Sequence, residues 1–396
     1  MEQELRISQR AKQYPASGIR KMFDLAAQYP EAIKLTVGEP NFDTPQYIKD
    51  AAKRALDEGQ THYAPNAGTT ELREAVAAKY RKQYWEGYTK DHVIITVGAM
   101  EGLFLAMMTL LDPGDEILVP DPCFPNYYGQ ASSIGARAVP VPTYEEYDYR
   151  IQAADIEKAV TPRTRAILLN SPCNPTGAVL TKEDILAIAK VAKTHDLWVL
   201  TDEPYDAIVY DGIQPYSMAQ VPEMQDRVMV LNSFSKSYAM TGWRIGYVAG
   251  PRNEICAMTS FQSHATSNAN SIAQYAAMKA LQGDPQCVTD MVAQFEARRN
   301  AMVEKINSIP GLSCMKPQGA FYIMLNITGV MGKTYNGRVI DSSQTFAELL
   351  LADKHVAVVP GNAFEAEGFC RLSYAVAMES CMEGLRRIEE FVSELK

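Results

Sequence analysis

The segment richest in usable chemistry is Ser233-Phe-Ser-Lys236-Ser-Tyr-Ala-Met-Thr-Gly-Trp-Arg244. It follows the apolar run VMVLN (228–232), so Lys236 falls on a loop at the C-terminal edge of a sheet, where open α/β sheets bind ligands. A lysine set among Ser, Thr and aromatic residues is partly desolvated and sheds its proton more easily than a surface lysine. That is the condition for a Schiff-base lysine. Arg244 on the same segment is suited to a dianionic phosphate. Asp202 ends another run, LWVLTD (197–202), and Tyr205 follows three residues later. A carboxylate leaving a buried strand needs a cation or a hydrogen-bond donor. A protonated pyridine nitrogen is one such partner; capping a following helix is the other use open to Asp202.

Two further turns belong with these. Asn174-Pro-Thr-Gly177 follows a strand and by itself is a tight turn. Gly98-Ala99-Met100 joins a strand to a helix, whose first backbone N–H groups can cradle a phosphate. Together the pieces fit one ligand: an aromatic ring with a basic nitrogen, a phosphate and an aldehyde.

The elements that must position these residues alternate along the middle of the chain. HVIITV (92–97), EILVP (116–120), ARAVPV (136–141, weakened by Pro140), RAILLN (165–170), LWVLTD, VMVLN and IGYVAG (245–250) read as strands. Helical patterns separate them, among them 99–111 and 182–195 with Thr181 as N-cap. Strands apolar on both faces with helices between them predict a mainly parallel sheet covered on both sides. Residues 252–281 read as helical, and a second long helix runs from 286 to 307. Beyond it, short strands (GAFYIMLNI, AVVP, CRLSYA) mix with helices at 343–352 and 380–395, the pattern of a smaller α+β domain. The first 45 residues show no strand–helix alternation and are expected to pack on it.

The chain resembles the class I/II aminotransferases of the fold-type-I pyridoxal-phosphate (PLP) family over nearly its whole length. YAPNAG (63–68), SPCNPTG (171–177), TDEPY (201–205), SFSKSYAMTGWRIGY (233–247), KPQGAFY (316–322) and RLSYA (371–375) carry the resemblance, jointly and in this order. It implies an α/β large domain, residues 46–285, with a seven-strand-type, mainly parallel sheet sandwiched by helices. A discontinuous small domain would comprise 1–45 and 286–396. It also implies PLP-dependent transamination from an L-amino acid to a 2-oxo acid such as 2-oxoglutarate, in a homodimer with shared active sites. By the resemblance Lys236 forms the Schiff base, Asp202 binds the pyridinium nitrogen, and Asn174 and Tyr205 bind the phenolic oxygen. Ala99 and Met100 (backbone), Ser233, Ser235 and Arg244 surround the phosphate, Phe124 stacks on the ring, and Tyr63 reaches a neighbouring subunit's phosphate. Arg371 grips the substrate α-carboxylate, helped by Gly38 and Asn174.

Some residues depart from that pattern. Pro204 stands in TDEPY where an aliphatic residue is commoner, and Cys173 beside Asn174 reads as a small filler. Met100 replaces a lysine that some relatives carry, which puts dicarboxylate specificity in doubt; Arg20 is a substitute cation or a surface arginine. Rival readings are weaker. Ser233–Lys236 matches the S-x-x-K of serine acylases, but SDN- and KTG-like elements are absent. Gly332-Lys-Thr334 lacks the first glycine of a P-loop. A C–S β-lyase on this fold needs the same Lys236, Asp202, Tyr205 and Arg244. A PLP-sensing regulator needs a DNA-binding domain, and none is expected here because the resemblance begins almost at the start of the sequence.

Composition agrees. The 396 residues carry 38 basic and 47 acidic side chains, a net charge of −9, which argues against nucleic acid or an anionic membrane as the main partner. Seven cysteines without CxxC spacing and five scattered histidines predict a reduced, cytoplasmic chain with no metal site. The N-terminus has no apolar signal region, and the longest apolar run, 103–111, is too short to span a bilayer.

Overall fold

The computed structural model describes residues 7–8 and 18–396. A two-residue strand β1 (Ile33–Lys34) precedes seven strands that form the main sheet. These are β2 (Val93–Thr96), β3 (Glu116–Asp121), β4 (Arg137–Pro142), β5 (Thr164–Asn170), β6 (Trp198–Asp202), β7 (Val228–Ser233) and β8 (Gly246–Ala249). Their order is β2-β8-β7-β6-β5-β3-β4. β8 runs antiparallel to both its neighbours, and the pairs from β7 to β4 are parallel. The expected mainly parallel, seven-stranded sheet is therefore present, with one reversed strand. Successive residues alternate between two hydrophobic clusters, Ile95, Leu118, Ile167 and Leu169 on one face and Ile94, Val119, Ala166 and Leu168 on the other. Both faces are covered, which is why these strands read as continuous apolar runs rather than alternating ones. β4 is one of the two edge strands, where Pro140 costs no ladder hydrogen bond inside the sheet.

Local signals fixed several boundaries. Thr181 and Asp184 form a reciprocal capping box that starts the helix Lys182–Thr194. The long helix Gln286–Asn307 begins and ends where the sequence pattern put it. One expectation needs correction. The helical region 252–281 is two helices, Arg252–Ala265 and Ser271–Gln282; Ser267 takes a left-handed conformation between them and Asn270 caps the second. Within the first 45 residues the described part shows no repeated strand–helix alternation. A helix, Gly18–Ala26, is followed by β1.

β1 pairs in parallel with β12 (Val356–Ala357), which joins the start of the chain to its end. A three-stranded antiparallel sheet, β13 (Val359–Pro360), β14 (Phe369–Ser373) and β9 (Tyr322–Asn326), packs beside them; AVVP is thus split at Val358. The Gly332-Lys-Thr334 motif leads into the hairpin of β10 (Thr334–Tyr335) and β11 (Arg338–Val339) rather than from a strand into a helix. A third hydrophobic cluster unites Met22, Ala26 and Leu35 with Met291, Phe295, Leu372 and Phe391. Among the described residues no helix is long and apolar enough to cross a membrane.

Candidate active site

Strands β5, β6 and β7 end side by side, and their C-terminal residues Asn170, Asp202 and Ser233 open onto one cleft of about 230 Å³. The helix Gly98–Leu110 approaches it with its N-terminus, and Ala99 and Met100 line the wall. Its first N–H groups have no intrahelical acceptor. Gly98 has φ +75°, and a Cβ there would lie 2.6 Å from Arg244 Nη2, so only glycine lets the guanidinium come this close to the helix start. Arg244, itself left-handed at φ 51°, donates Nη1–H to the Thr241 carbonyl at 2.9 Å. Ser233 Oγ–H donates to Ser235 Oγ at 2.8 Å, and both serines are buried beside it. Ser233 is thus engaged by Ser235 rather than by Lys236, unlike an S-x-x-K nucleophile.

Lys236 donates from Nζ to the Gly38 carbonyl. Burial pushes its pKa down to about 8; the positive charges of Arg244 and Arg371 act in the same direction, and Glu39 opposes them. The Asp202 carboxylate is also buried, and that desolvation raises its pKa to about 6, against one donor, Tyr127 Oη–H at 2.7 Å. Asn170 Nδ2–H donates to the Asp202 carbonyl at 2.9 Å, while its Oδ1 accepts the Asn174 N–H at 2.8 Å. Burial, then the neighbouring Tyr322, hold the Tyr205 phenol well above its usual pKa, so it stays protonated; the two hydroxyls are 3.0 Å apart.

Arg371, on β14, enters the cleft from the C-terminal part of the chain and is 2% exposed. Nη1 donates to Asn174 Oδ1 at 2.9 Å and Nη2 to the Thr36 carbonyl at 3.0 Å. Its guanidinium lies between Tyr322 and Phe364, 4.4 and 5.0 Å from the ring centroids. Among the described residues Nε is buried without a partner, and no carboxylate is within ion-pair distance. A buried cation held only by neutral groups leaves its charge available to an anion. Phe124 lines the cleft with its ring edge-on to Tyr127, centroids 5.8 Å apart.

The structure therefore gathers Gly38, Ala99, Met100, Phe124, Asn174, Asp202, Tyr205, Ser233, Ser235, Lys236, Arg244 and Arg371 around one cleft. Tyr63 is elsewhere, on the surface and 91% exposed. Cys173 is a buried thiol with a raised pKa, caused by burial, as a filler should be. The Arg20 side chain lies outside the described residues. Sequence reasoning missed Tyr127, Asn170 and Tyr322. Asn170 carried the same signal as Asp202, a polar residue closing a buried strand. Tyr127 lies three residues beyond Phe124, and Tyr322 stood within KPQGAFY without a role.

Fold and cleft together define a PLP-dependent enzyme of the aminotransferase class. Residues 30–388 match the family "Aminotransferase class I and II", and the chain belongs to it. It is 43% identical to the aromatic-amino-acid aminotransferase 2 of Thermococcus litoralis, covering 98% of this chain and 99% of that one. It is 42% identical to an aspartate aminotransferase of Pyrococcus abyssi, covering 96% of each. The crystal structure of the aspartate aminotransferase from Rhizobium meliloti superposes with a TM-score of 0.96 at 39% identity, covering 99% of this chain and 100% of that one. The protein is a PLP-dependent transaminase that moves an amino group between an amino acid and a 2-oxo acid. The cleft suits that cofactor. Among the described residues Asp202 is a buried carboxylate with no cation paired to it, Lys236 is a lysine of lowered pKa, and the Gly98 turn admits Arg244 beside helix-terminal amides.

Proposed function

We propose that Lys236 is the catalytic lysine of this site, with an L-amino acid as donor and 2-oxoglutarate as acceptor. One observation carries the reading: the Lys236 amine, drawn down to about 8, faces a cleft whose other cations are Arg244 and Arg371. Arg244, Ser233, Ser235 and the amides of Ala99 and Met100 would hold the phosphate. Phe124 would stack on the ring, Asp202 face its nitrogen, and Asn174 and Tyr205 its phenolic oxygen. When bound, the cofactor supplies an electrophilic aldehyde carbon and an electron-withdrawing ring.

The chain's own residues supply the rest. Lys236 Nζ is the attachment point and, once freed by substrate, the base that takes the proton from substrate Cα. With a pKa near 8, about a tenth of that amine is already unprotonated at pH 7. Arg371 takes the α-carboxylate on its planar fork, with Asn174 beside it, and so sets which Cα bond faces the base. Tyr127 holds Asp202 ionised against the pull of burial.

Three wider readings accompany this one. The surface position of Tyr63 supports a homodimer in which it reaches the partner's cleft. The separate hydrophobic clusters support a large domain at 46–285 and a small one at 1–45 with 286–396. The seven free thiols support a reducing, cytoplasmic setting. The test is a panel of aspartate, alanine, aromatic and sulfur-containing donors (cysteine among them) with 2-oxoglutarate, scored for oxo-acid against ammonia or sulfide release. Oxo-acid formation without ammonia is expected. Ammonia or sulfide as the main product makes the chain a lyase, and a chain colourless after incubation with PLP refutes the site. Sedimentation checks the dimer; a fully active monomer refutes it.

A further inference from the structure

The helix Gln286–Asn307 presents two adjacent arginines, both buried, with different partners. Arg299 is paired with acids: Nη1 and Nη2 reach the two Asp211 carboxylate oxygens at 2.7 and 3.0 Å, and Nη2 reaches Glu296 at 3.2 Å. Among the described residues Arg298 has no carboxylate within ion-pair distance, although it is only 5% exposed. Its Nη1 donates to Asn41 Oδ1 at 2.8 Å and, more weakly, to the Tyr374 carbonyl at 3.5 Å; Nη2 donates to Gln294 Oε1 at 3.3 Å. Its guanidinium lies over the rings of Phe42 and Phe295, 5.2 and 5.6 Å from their centroids.

Burying an unpaired guanidinium costs stability, so this arrangement is a poor way merely to fill space. Its partners lie on the two segments that carry the site's carboxylate-binding groups. Asn41 and Phe42 follow Thr36, whose carbonyl holds Arg371, and Gly38, whose carbonyl accepts from Lys236. Tyr374 follows Arg371 by three residues on the strand's exit. The same 38–44 loop is tied on its other side to the Lys236–Arg244 loop. Thr241 Oγ–H donates to Glu39 at 2.6 Å, Thr44 Oγ–H to the Ala239 carbonyl at 2.7 Å, and Trp243 Nε1–H to Thr44 Oγ at 2.9 Å. Arg298 is what connects this loop by a charge-assisted hydrogen bond to the helix Gln286–Asn307.

The geometry points to Arg298 as a positioning residue for the donor α-carboxylate: through Asn41 and Tyr374 it fixes the Gly38 loop and Arg371 relative to each other. This rests on the reading of Arg371 and Gly38 as the carboxylate site. Arginine suits the task because its plane stacks on two rings while its fork donates in that plane. Lysine keeps the charge and loses both features.

The test uses PLP-loaded enzyme and the best donor of the panel above. Steady-state KM and kcat are measured for Arg298→Met, Arg298→Lys and Asn41→Ala, together with the PLP dissociation constant and the thermal midpoint. Arg298→Met should raise the donor KM about tenfold, the scale of one lost charge-assisted hydrogen bond, with kcat and PLP affinity within about threefold. Arg298→Lys should recover part of that loss. Asn41→Ala should move KM in the same direction, and the Met/Ala double variant should be no worse than the poorer single one. Should Arg298→Met fail to fold, Asn41→Ala carries the test. A fall in thermal midpoint with KM unchanged refutes the proposal, and so does fully additive behaviour of the pair. Lys236→Ala serves as control: if it keeps the wild-type PLP spectrum, the reading of the site has failed and not this inference.

Discussion

Replacing Tyr127 by Phe removes one hydroxyl from a fully buried ring and keeps the ring's contact with Phe124. The lost group is the only side-chain donor to Asp202 in the described structure, at 2.7 Å. A hydrogen bond to a buried charged group is worth about 1.5–3 kcal/mol, which corresponds to roughly one to two pKa units. Asp202 already stands at about 6 because burial opposes its charge, so in the variant it should titrate at about 7–8. At pH 7 the ionised fraction of the cofactor-free protein would fall from about nine-tenths to about half or less. If ionised Asp202 is what binds the pyridinium, apparent PLP affinity at pH 7 should weaken about twofold to tenfold. The deficit should vanish by pH 9, where both carboxyls are charged. The assay is a spectroscopic PLP titration of both proteins from pH 6 to 9. Titration of PLP and of Lys236 is common to both proteins and drops out of the ratio. Parallel affinity profiles with the same inflection would falsify the role given to Asp202. The sign has a stability counterpart. An acid raised from 3.8 to about 6 on folding destabilises the cofactor-free protein as pH rises through that window, by up to about 3 kcal/mol. PLP should therefore stabilise more at pH 7 than at pH 5; Glu203, raised to about 7 by burial, acts on both forms and cancels.

Lys236 should react with aldehydes at a rate that rises around pH 8, measured by absorbance on mixing with PLP; a midpoint near 10 would show that the amine is not desolvated. Arg371→Met should keep PLP bound and raise the donor KM at least about a hundredfold, because a buried carboxylate would lose its bidentate partner; an unchanged KM places the carboxylate elsewhere. Arg299→Met should destabilise the fold by about 3 kcal/mol in urea melts, at the low end for a broken buried pair because Asp211 is 41% exposed; a loss below about 1 kcal/mol contradicts the reading of that pair. Asp211 is held down to about 2, chiefly by its hydrogen bonds to Arg299, so the pair's contribution should persist above pH 4 and fade as pH falls toward 2.

The sheet was legible because its strands are short apolar runs between capped helices, a pattern that local sterics and burial impose on sequence directly. Asp202 was legible because a polar residue closing a buried strand needs a partner, Lys236 because it stands on the loop just past a strand end, and Asn174 only through the motif it shares with the family; the parallel order of β5, β6 and β7 puts these ends in one row. The reversal of β8 and the pairing of β1 with β12 were not legible, since strand direction and long-range pairing leave no local mark. The same holds for the Arg371 end of the site. Nothing in RLSYA says that Arg371 will lie between Tyr322 and Phe364 beside the Thr36 carbonyl, 335 residues away. Nor does the motif ARRN distinguish Arg299, clamped on Asp211, from Arg298, given to Asn41. The net charge of −9 and the cationic cleft are reconciled in the same way. Sequence set the types of residue and their local turns. Only the packing of distant segments brought three cations together and left the acids that would have neutralised Arg371 elsewhere.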